Sequence, residues 1–279
     1  MKIFTSRKSL GEHLGKLRSE GKTIGFVPTM GALHQGHLSL LALAQQQSDI
    51  TVCSIFVNPT QFNDPKDLER YPRPIESDIK KLEQAGCDIL FNPEVNEMYD
   101  GNEQWHLDLG ELEHLLEGKF RPGHYQGVTQ VVYKLFDIVK PNLAFFGQKD
   151  YQQFLVIQKM VNILSLPVRL VMCPILREPD GLAMSSRNVH LSTEERQHAL
   201  VLSKTLNWLN GNFNQASICA LQKEGAAMIS DEPGVKLEYF EIADGDTLYT
   251  AAADSKPIVA LVAARVGNTR LIDNVILSS

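Results

Sequence analysis

The stretch PTMGALHQGHLSLL, residues 28–41, sets His34 and His37 three residues apart around Gly36, immediately ahead of a leucine-rich run. An apolar, β-branched run, TIGFVP, precedes it, so Met30, Gly31, Ala32, Leu33, His34, Gln35, Gly36 and His37 are expected to form a loop and the first turn of a helix. A helix N-terminus carries unpaired N–H groups and the positive end of the helix dipole, and glycines let a ligand come close to the backbone. The stretch therefore reads as an anion site whose backbone N–H groups point at the ligand. One turn apart, the two imidazoles face the same side and can donate to phosphate oxygens as charge grows in a displacement. A zinc pair fits less well, because the familiar helical pair is spaced by four around a glutamate and no second ligand cluster is evident. Taken alone, the two histidines are equally compatible with a helix cap or a polar pocket.

Four other stretches have chemistry to offer. LAFFGQKDYQQF, residues 143–154, places Gly147, Gln148, Lys149 and Asp150 after another apolar run, with Gln152 and Gln153 entering the next helix. Lysine at a strand end can hold a phosphate as a point charge; Asp150 either bonds a nucleotide hydroxyl or amino group or caps the helix. REPDGLAMSSRN, residues 177–188, makes a turn at Pro179-Asp180-Gly181. It then offers Ser185, Ser186 and Arg187 as donors to phosphate, on a loop expected to close over a substrate. FVNPTQF, residues 56–62, brings Asn58 and Gln61, whose amides suit a ligand with carboxylate and hydroxyl groups. FRPGHYQG, residues 120–127, is a glycine-flanked loop carrying Arg121 and His124.

The elements that would position these groups follow from periodicity. TIGFVP, ITVCSIFV, CDILFN, LAFFG and VRLVMC are strand candidates. They alternate with helix candidates at Leu38 to Gln47, Pro74 to Ala85, Val128 to Val139 and Gln152 to Leu164. That alternation predicts an α/β fold, a Rossmann-like parallel sheet with helices on both faces, with ligands bound at the loops after the strands. After Pro174 the texture changes to two helices, near Thr193 to Asn210 and Gln215 to Ser230, with a capping box at Ser192 and Glu195. The strands LEYFEIA, PIVALVAARV and TRLIDNVIL follow, the last two joined at Gly267-Asn268. We expect a catalytic domain over 1–174 and a smaller C-terminal α+β domain over 175–279.

With 43% hydrophobic and 22% charged residues in 279, the chain has an ordinary globular composition. Its net charge of -6 offers no footprint for nucleic acid. Four scattered cysteines suggest neither a disulfide framework nor a zinc ribbon and fit a reducing compartment. The polar N-terminus does not resemble a signal peptide, and no apolar run reaches the roughly 18 residues of a membrane span. The expectation is a cytoplasmic protein.

In order, PTMGALHQGHLSL, FVNPTQF, YPR, RPGHYQGV, FGQKDYQQ and DGLAMSSRN resemble the pantothenate synthetase family of the HxGH nucleotidyltransferases. The resemblance spans nearly the whole chain. It implies the ATP-dependent condensation of pantoate with β-alanine through pantoyl adenylate, releasing AMP and pyrophosphate. Mg2+ would be carried mainly on the triphosphate, the C-terminal domain would serve as a lid, and the protein would be a homodimer. Carried over residue by residue, it places ATP against Met30 to His37, Gly147 to Asp150, Leu176 and Met184 to Arg187. His37, His34, Lys149 and Arg187 would be the catalytic groups. Gln61 and Gln153 would bind pantoate, with Gln61 also near β-alanine, and no protein residue is assigned to a metal. Tyr125-Gln126 departs from the Phe-Arg of many relatives, and the stretch after YPR supplies no assigned magnesium carboxylate at Glu76 or Asp78. The rival reading is another HxGH enzyme that adenylates a phosphorylated small molecule; Gln61 and Gln153 disfavour it, since a phosphate ester calls for arginine or lysine there.

Overall fold

A computed structural model of the chain describes residues 1–63, 65–252 and 255–278. The strands are β1 (Lys2–Phe4), β2 (Ile24–Thr29), β3 (Ile50–Ile55), β4 (Ile89–Phe91), β5 (Leu143–Gly147), β6 (Arg169–Cys173), β7 (Val235–Asp244), β8 (Ile258–Val266) and β9 (Thr269–Ser278). The helices are α1 (Arg7–Ser19), α2 (Gln35–Gln47), α3 (Pro65–Arg70), α4 (Ile75–Gln84), α5 (Val95–Met98), α6 (Leu116–Phe120), α7 (His124–Val139), α8 (Tyr151–Ile163), α9 (Thr193–Asn212) and α10 (Ile218–Ser230). The chain divides into two compact units: Met1–Gly147 with Gln152–Cys173, and Gln148–Tyr151 with Pro174–Ser279.

The first unit is built on a six-stranded sheet in the order β1-β4-β3-β2-β5-β6, with all its strand pairings parallel. Strands of a parallel sheet are covered on both faces, which is why β4 and most of β5 are continuous runs of buried apolar side chains. The order of connection reverses between β2 and β5, which lie side by side through Gly25↔Leu143 and Phe26↔Ala144. Ligands of open α/β sheets bind outside the carboxyl ends of the strands at such a reversal. Met30 to His37 leave the end of β2, and Gly147 is the end of β5.

Periodicity missed the N-terminal β1, an edge strand of three residues, and the amphipathic α1 behind it, which buries only Leu10 and Leu14. It also started α7 too late. His124 to Gly127 are already helical and largely buried, so the second half of the FRPGHYQG stretch is a helix start and not a loop.

The second unit holds an antiparallel sheet, β7-β8-β9, with α9 and α10 packed on it around Leu202, Leu206, Leu221, Phe240 and Val262. Ser192 and Glu195 exchange the two bonds of a capping box at the start of α9, 3.2 and 2.8 Å long. Gly267 has φ +55 and closes the two-residue turn between β8 and β9, whose flanking residues Val266 and Thr269 pair. Gly225 lets α10 lie directly on β7: a β-carbon there would sit 2.4 Å from the Phe240 ring. Gly225→Ala is therefore expected to cost about 1–3 kcal/mol through overpacking. Urea unfolding checks it, and an unchanged midpoint would show that Phe240 has room to turn aside.

Candidate active site

The loop after β2 is wound against its own preference. Gly31 has φ +83 and Ala32 φ +50, a left-handed conformation that costs a non-glycine residue about 1–2 kcal/mol. What holds it is Asp78 on α4, only 1% exposed. Its Oδ2 accepts from the Ala32 N–H at 2.7 Å and its Oδ1 from the Leu33 N–H at 2.8 Å. Lys81, one turn further along α4, donates to the Leu33 carbonyl at 2.6 Å. Successive backbone N–H groups converging on one point make an anion hollow, and here the anion is the protein's own carboxylate.

The next N–H groups are used as well. His34 caps α2: its Nδ1 accepts from the Gly36 N–H at 3.1 Å, while the His37 Nδ1 accepts from the His34 N–H at 3.3 Å. This corrects the expectation that the helix start offers its backbone donors to a ligand, because those of Ala32, Leu33, His34 and Gly36 are spent inside the fold. What the arrangement prepares instead is the imidazoles. With both Nδ1 atoms accepting, the matching neutral tautomer carries its proton on Nε2. The two half-buried rings lie 4.0 Å apart, centroid to centroid, tilted by 35°, so they form a paired donor at the carboxyl end of β2.

Gln61 joins this site. Its Nε2 lies 3.1 Å from the Met30 Sδ, and its Oε1 accepts from the Asn58 Nδ2 at 3.0 Å. Asn58, itself buried, also donates to the Gly127 carbonyl and accepts from the Tyr99 hydroxyl at 2.7 Å. Burial pushes the Tyr99 phenol up to about 12, so it remains a donor. Asn58 thereby fixes which way the Gln61 amide faces, with the NH2 group toward Met30. The backbone of the turn is held by His124, whose Nδ1 bonds the Gln61 carbonyl at 2.8 Å. Gly127 is what allows α7 this close: a β-carbon on it would fall 2.3 Å from the Thr60 carbonyl oxygen.

The neighbouring glutamines on α8 differ in use. Gln152, 2% exposed, accepts from the Glu117 N–H and donates to the Leu112 and Leu115 carbonyls, so it is structural. Gln153 is half-buried on the same turn. Gln126 also serves the backbone: it pairs with both the N–H and the carbonyl of Leu107 and donates to Glu113.

The remaining candidates lie in the second unit. Gln148–Asp150 form one tight turn whose Gln148 and Lys149 carbonyls accept from the Asn274 amide. Leu176 and Met184 face each other across a short hairpin, through the Met184 N–H to the Leu176 carbonyl at 3.0 Å and the Arg177↔Ala183 bridge. Ser185 caps the turn Ser186–His190 by accepting from the Arg187 N–H. The segment expected to close over a substrate is braced from several sides. Arg196 spans Glu178 and Asp180 at 2.8 Å each and holds the Glu178 carboxyl below its ordinary range. Asn188 ties Glu178 to the Ala183 carbonyl. Asp180, read as a plain turn residue, is thus one of the braces.

The model of the pantoate-beta-alanine ligase family matches residues 2–276. The chain belongs to the pantoate–β-alanine ligase family. It is 48% identical to the pantothenate synthetase of Thermotoga petrophila, covering 99% of this chain and 100% of that one. With the pantothenate synthetase of Bacteroides thetaiotaomicron it shares 45% identity over 99% of this chain and 98% of the relative. Among solved structures, the pantothenate synthetase of Thermus thermophilus superposes with a TM-score of 0.94 at 40% identity, with both chains fully covered. The pantoate-β-alanine ligase of Francisella tularensis, solved with β,γ-ATP and β-alanine, gives 0.81 at 35% identity over 99% of this chain and 98% of that one.

Sequence reasoning missed three residues that shape the loops carrying His34, His37 and Gln61: Asp78, Tyr99 and Gly127. Asp78 stood in an unassigned acidic stretch, and its spacing carried no signal that it reaches a loop 46 residues earlier. Among the described residues, no three His, Cys, Asp or Glu side chains gather as a metal site. Both Asp78 oxygens accept from backbone N–H groups, which gives this carboxylate a structural use in the loop. No helix among the described residues is long and apolar enough to cross a membrane.

Asp78→Asn turns one acceptor oxygen into an NH2 group facing a backbone N–H. It is expected to lower stability by about 2 kcal/mol and to reduce ligase activity, because the left-handed Gly31–Ala32 pair loses its hold. Chemical denaturation with an activity assay checks both, and a variant unchanged in both would remove Asp78 from this role.

Proposed function

We propose how this ligase, which joins pantoate to β-alanine at the expense of ATP, divides the work among its residues. In the first step a pantoate carboxylate oxygen forms a bond to the α-phosphorus of ATP as the bond to pyrophosphate breaks, giving pantoyl adenylate. In the second, the β-alanine amine attacks the activated acyl carbon, AMP leaves, and the amine sheds a proton. A carboxylate attacking a phosphoanhydride has no proton to lose, so the first step calls for stabilising charge on the phosphoryl oxygens and departing pyrophosphate. His34 and His37 meet that need as Nε2–H donors. The observation that carries this reading is the pair of Nδ1 contacts with backbone N–H groups, which favours the Nε2–H tautomer, at the carboxyl end of β2 beside the topological reversal.

In this reading, Lys149 and Arg187 add positive charge at the phosphates, Ser185 and Ser186 add hydroxyl donors, and Met30 to Gly36, Gly147, Gln148, Asp150, Leu176 and Met184 surround the nucleotide. Gln61 and Gln153 hold pantoate, and Gln61 also meets β-alanine. Support for Gln61 comes from its amide orientation, whose NH2 end is a donor suited to a carboxylate or hydroxyl. Magnesium would enter on the triphosphate. The reading extends to a cytoplasmic homodimer, for which light scattering checks the assembly.

Pantoate-dependent exchange of labelled pyrophosphate into ATP should occur without β-alanine; its absence from folded protein would refute the adenylate route. His37→Ala should slow that exchange by about 10²–10³-fold while weakening ATP far less. Equal losses would assign His37 to ground-state binding. Gly127→Ala should displace the Thr60–Gln61 turn and raise the KM for pantoate about tenfold, and an unaltered pantoate KM would separate that turn from the substrate.

A further inference from the structure

The catalytic lysine proposed above sits on a turn that is held from elsewhere in the second unit. Asn274, on β9 and 2% exposed, spends its whole amide on two successive residues. Its Nδ2 donates to the Gln148 carbonyl at 2.9 Å and the Lys149 carbonyl at 3.0 Å, and its Oδ1 accepts from the Gln148 Nε2 at 3.0 Å. An asparagine has two amide hydrogens and one carbonyl to give, and three bonds to adjacent residues fix both the position of the turn and its rotation. At the other end of the turn, the Tyr151 hydroxyl donates to the Gly245 carbonyl at 3.0 Å.

Asn274 is itself anchored. Its N–H donates to the Asp273 Oδ1 at 2.8 Å, and Asp273 takes a two-pronged contact from Arg177, 2.6 and 3.0 Å. Burial raises the Asp273 carboxyl, while Arg177 and, more weakly, Lys149 oppose that shift. Arg177 also donates to the Gly181 carbonyl and starts the hairpin that leads to Met184–Arg187. One chain of hydrogen bonds therefore runs from the Ser-Ser-Arg hairpin through Asp273 and Asn274 to the root of Lys149.

We propose that Asn274, assisted by the Tyr151 hydroxyl, is a positioning residue for Lys149, fixing the turn from which its ammonium reaches the phosphates. The proposal rests on the reading that Lys149 acts in adenylation. A lysine ends in a compact charge on a flexible four-carbon stem, so its placement depends on where its backbone is held, and a misplacement of about 1 Å can cost up to about 10²-fold in rate.

The experiment is a double-mutant cycle on pantoate-dependent pyrophosphate exchange. Asn274→Ala should lower the exchange kcat by about ten- to a hundredfold with little change in the KM for pantoate. The same substitution added to Lys149→Ala should cost almost nothing more, because the group it positions is gone. A merely structural role would cost as much in both backgrounds. If Asn274→Ala does not fold, Tyr151→Phe carries the same test with a smaller loss. A loss that persists undiminished in the Lys149→Ala background, or no loss in a folded variant, would overturn the proposal. Undiminished exchange in Lys149→Ala alone would remove the assigned role of Lys149 and this proposal with it.

Discussion

Two backbone N–H groups, those of Ala32 and Leu33, end on one buried carboxylate, and the shape of the whole histidine loop follows from that bond pair. A left-handed alanine does not persist unless its surroundings over-determine it. Asp78 supplies that determination from α4, and with the loop so wound His34 arrives at the cap of α2 with its ring folded back on the Gly36 N–H. His37 then folds back on the His34 N–H. Each step uses up a backbone donor and leaves the ring proton on Nε2. A structural carboxylate thus sets, through the backbone, the chemistry of two imidazoles.

The same economy appears around Gln61. Its amide would be symmetric to a ligand if it could flip; Asn58 removes the ambiguity by donating to one end, and Tyr99 holds Asn58. Close approach of backbone to backbone, permitted by the missing side chain of Gly127, brings the start of α7 onto this turn. In the proposed division of roles Gln61 meets the acid substrate, and the packing explains how a surface-loving side chain comes to be buried and aimed.

Much of the fold was legible from the chain. Strands such as LAFFG announce themselves because a parallel strand is buried on both faces and so reads as an unbroken apolar run. The two-residue turn at Gly267-Asn268 and the Ser192–Glu195 cap are local chemistry, complete within four residues. The three-residue β1 and the weakly apolar α1 were not legible, because an edge strand and a helix with two buried leucines carry too little periodic signal.

For the candidate groups, the sequence by itself determined which are present and in what order: the histidine pair, the two glutamines, the lysine turn and the Ser-Ser-Arg hairpin, each a short motif whose residue types state their chemistry. Only the tertiary structure decided how they are held. Asp78 lies 46 residues from Ala32, Gly127 lies 67 from Thr60, and Asn274 lies 125 from Lys149. Contacts over such separations leave no periodic trace in one sequence. A local inference is reversed as well: the N–H groups of Ala32, Leu33, His34 and Gly36, expected to face an anion, are taken by Asp78 and by the two imidazoles, because the protein's own acceptors lie within reach.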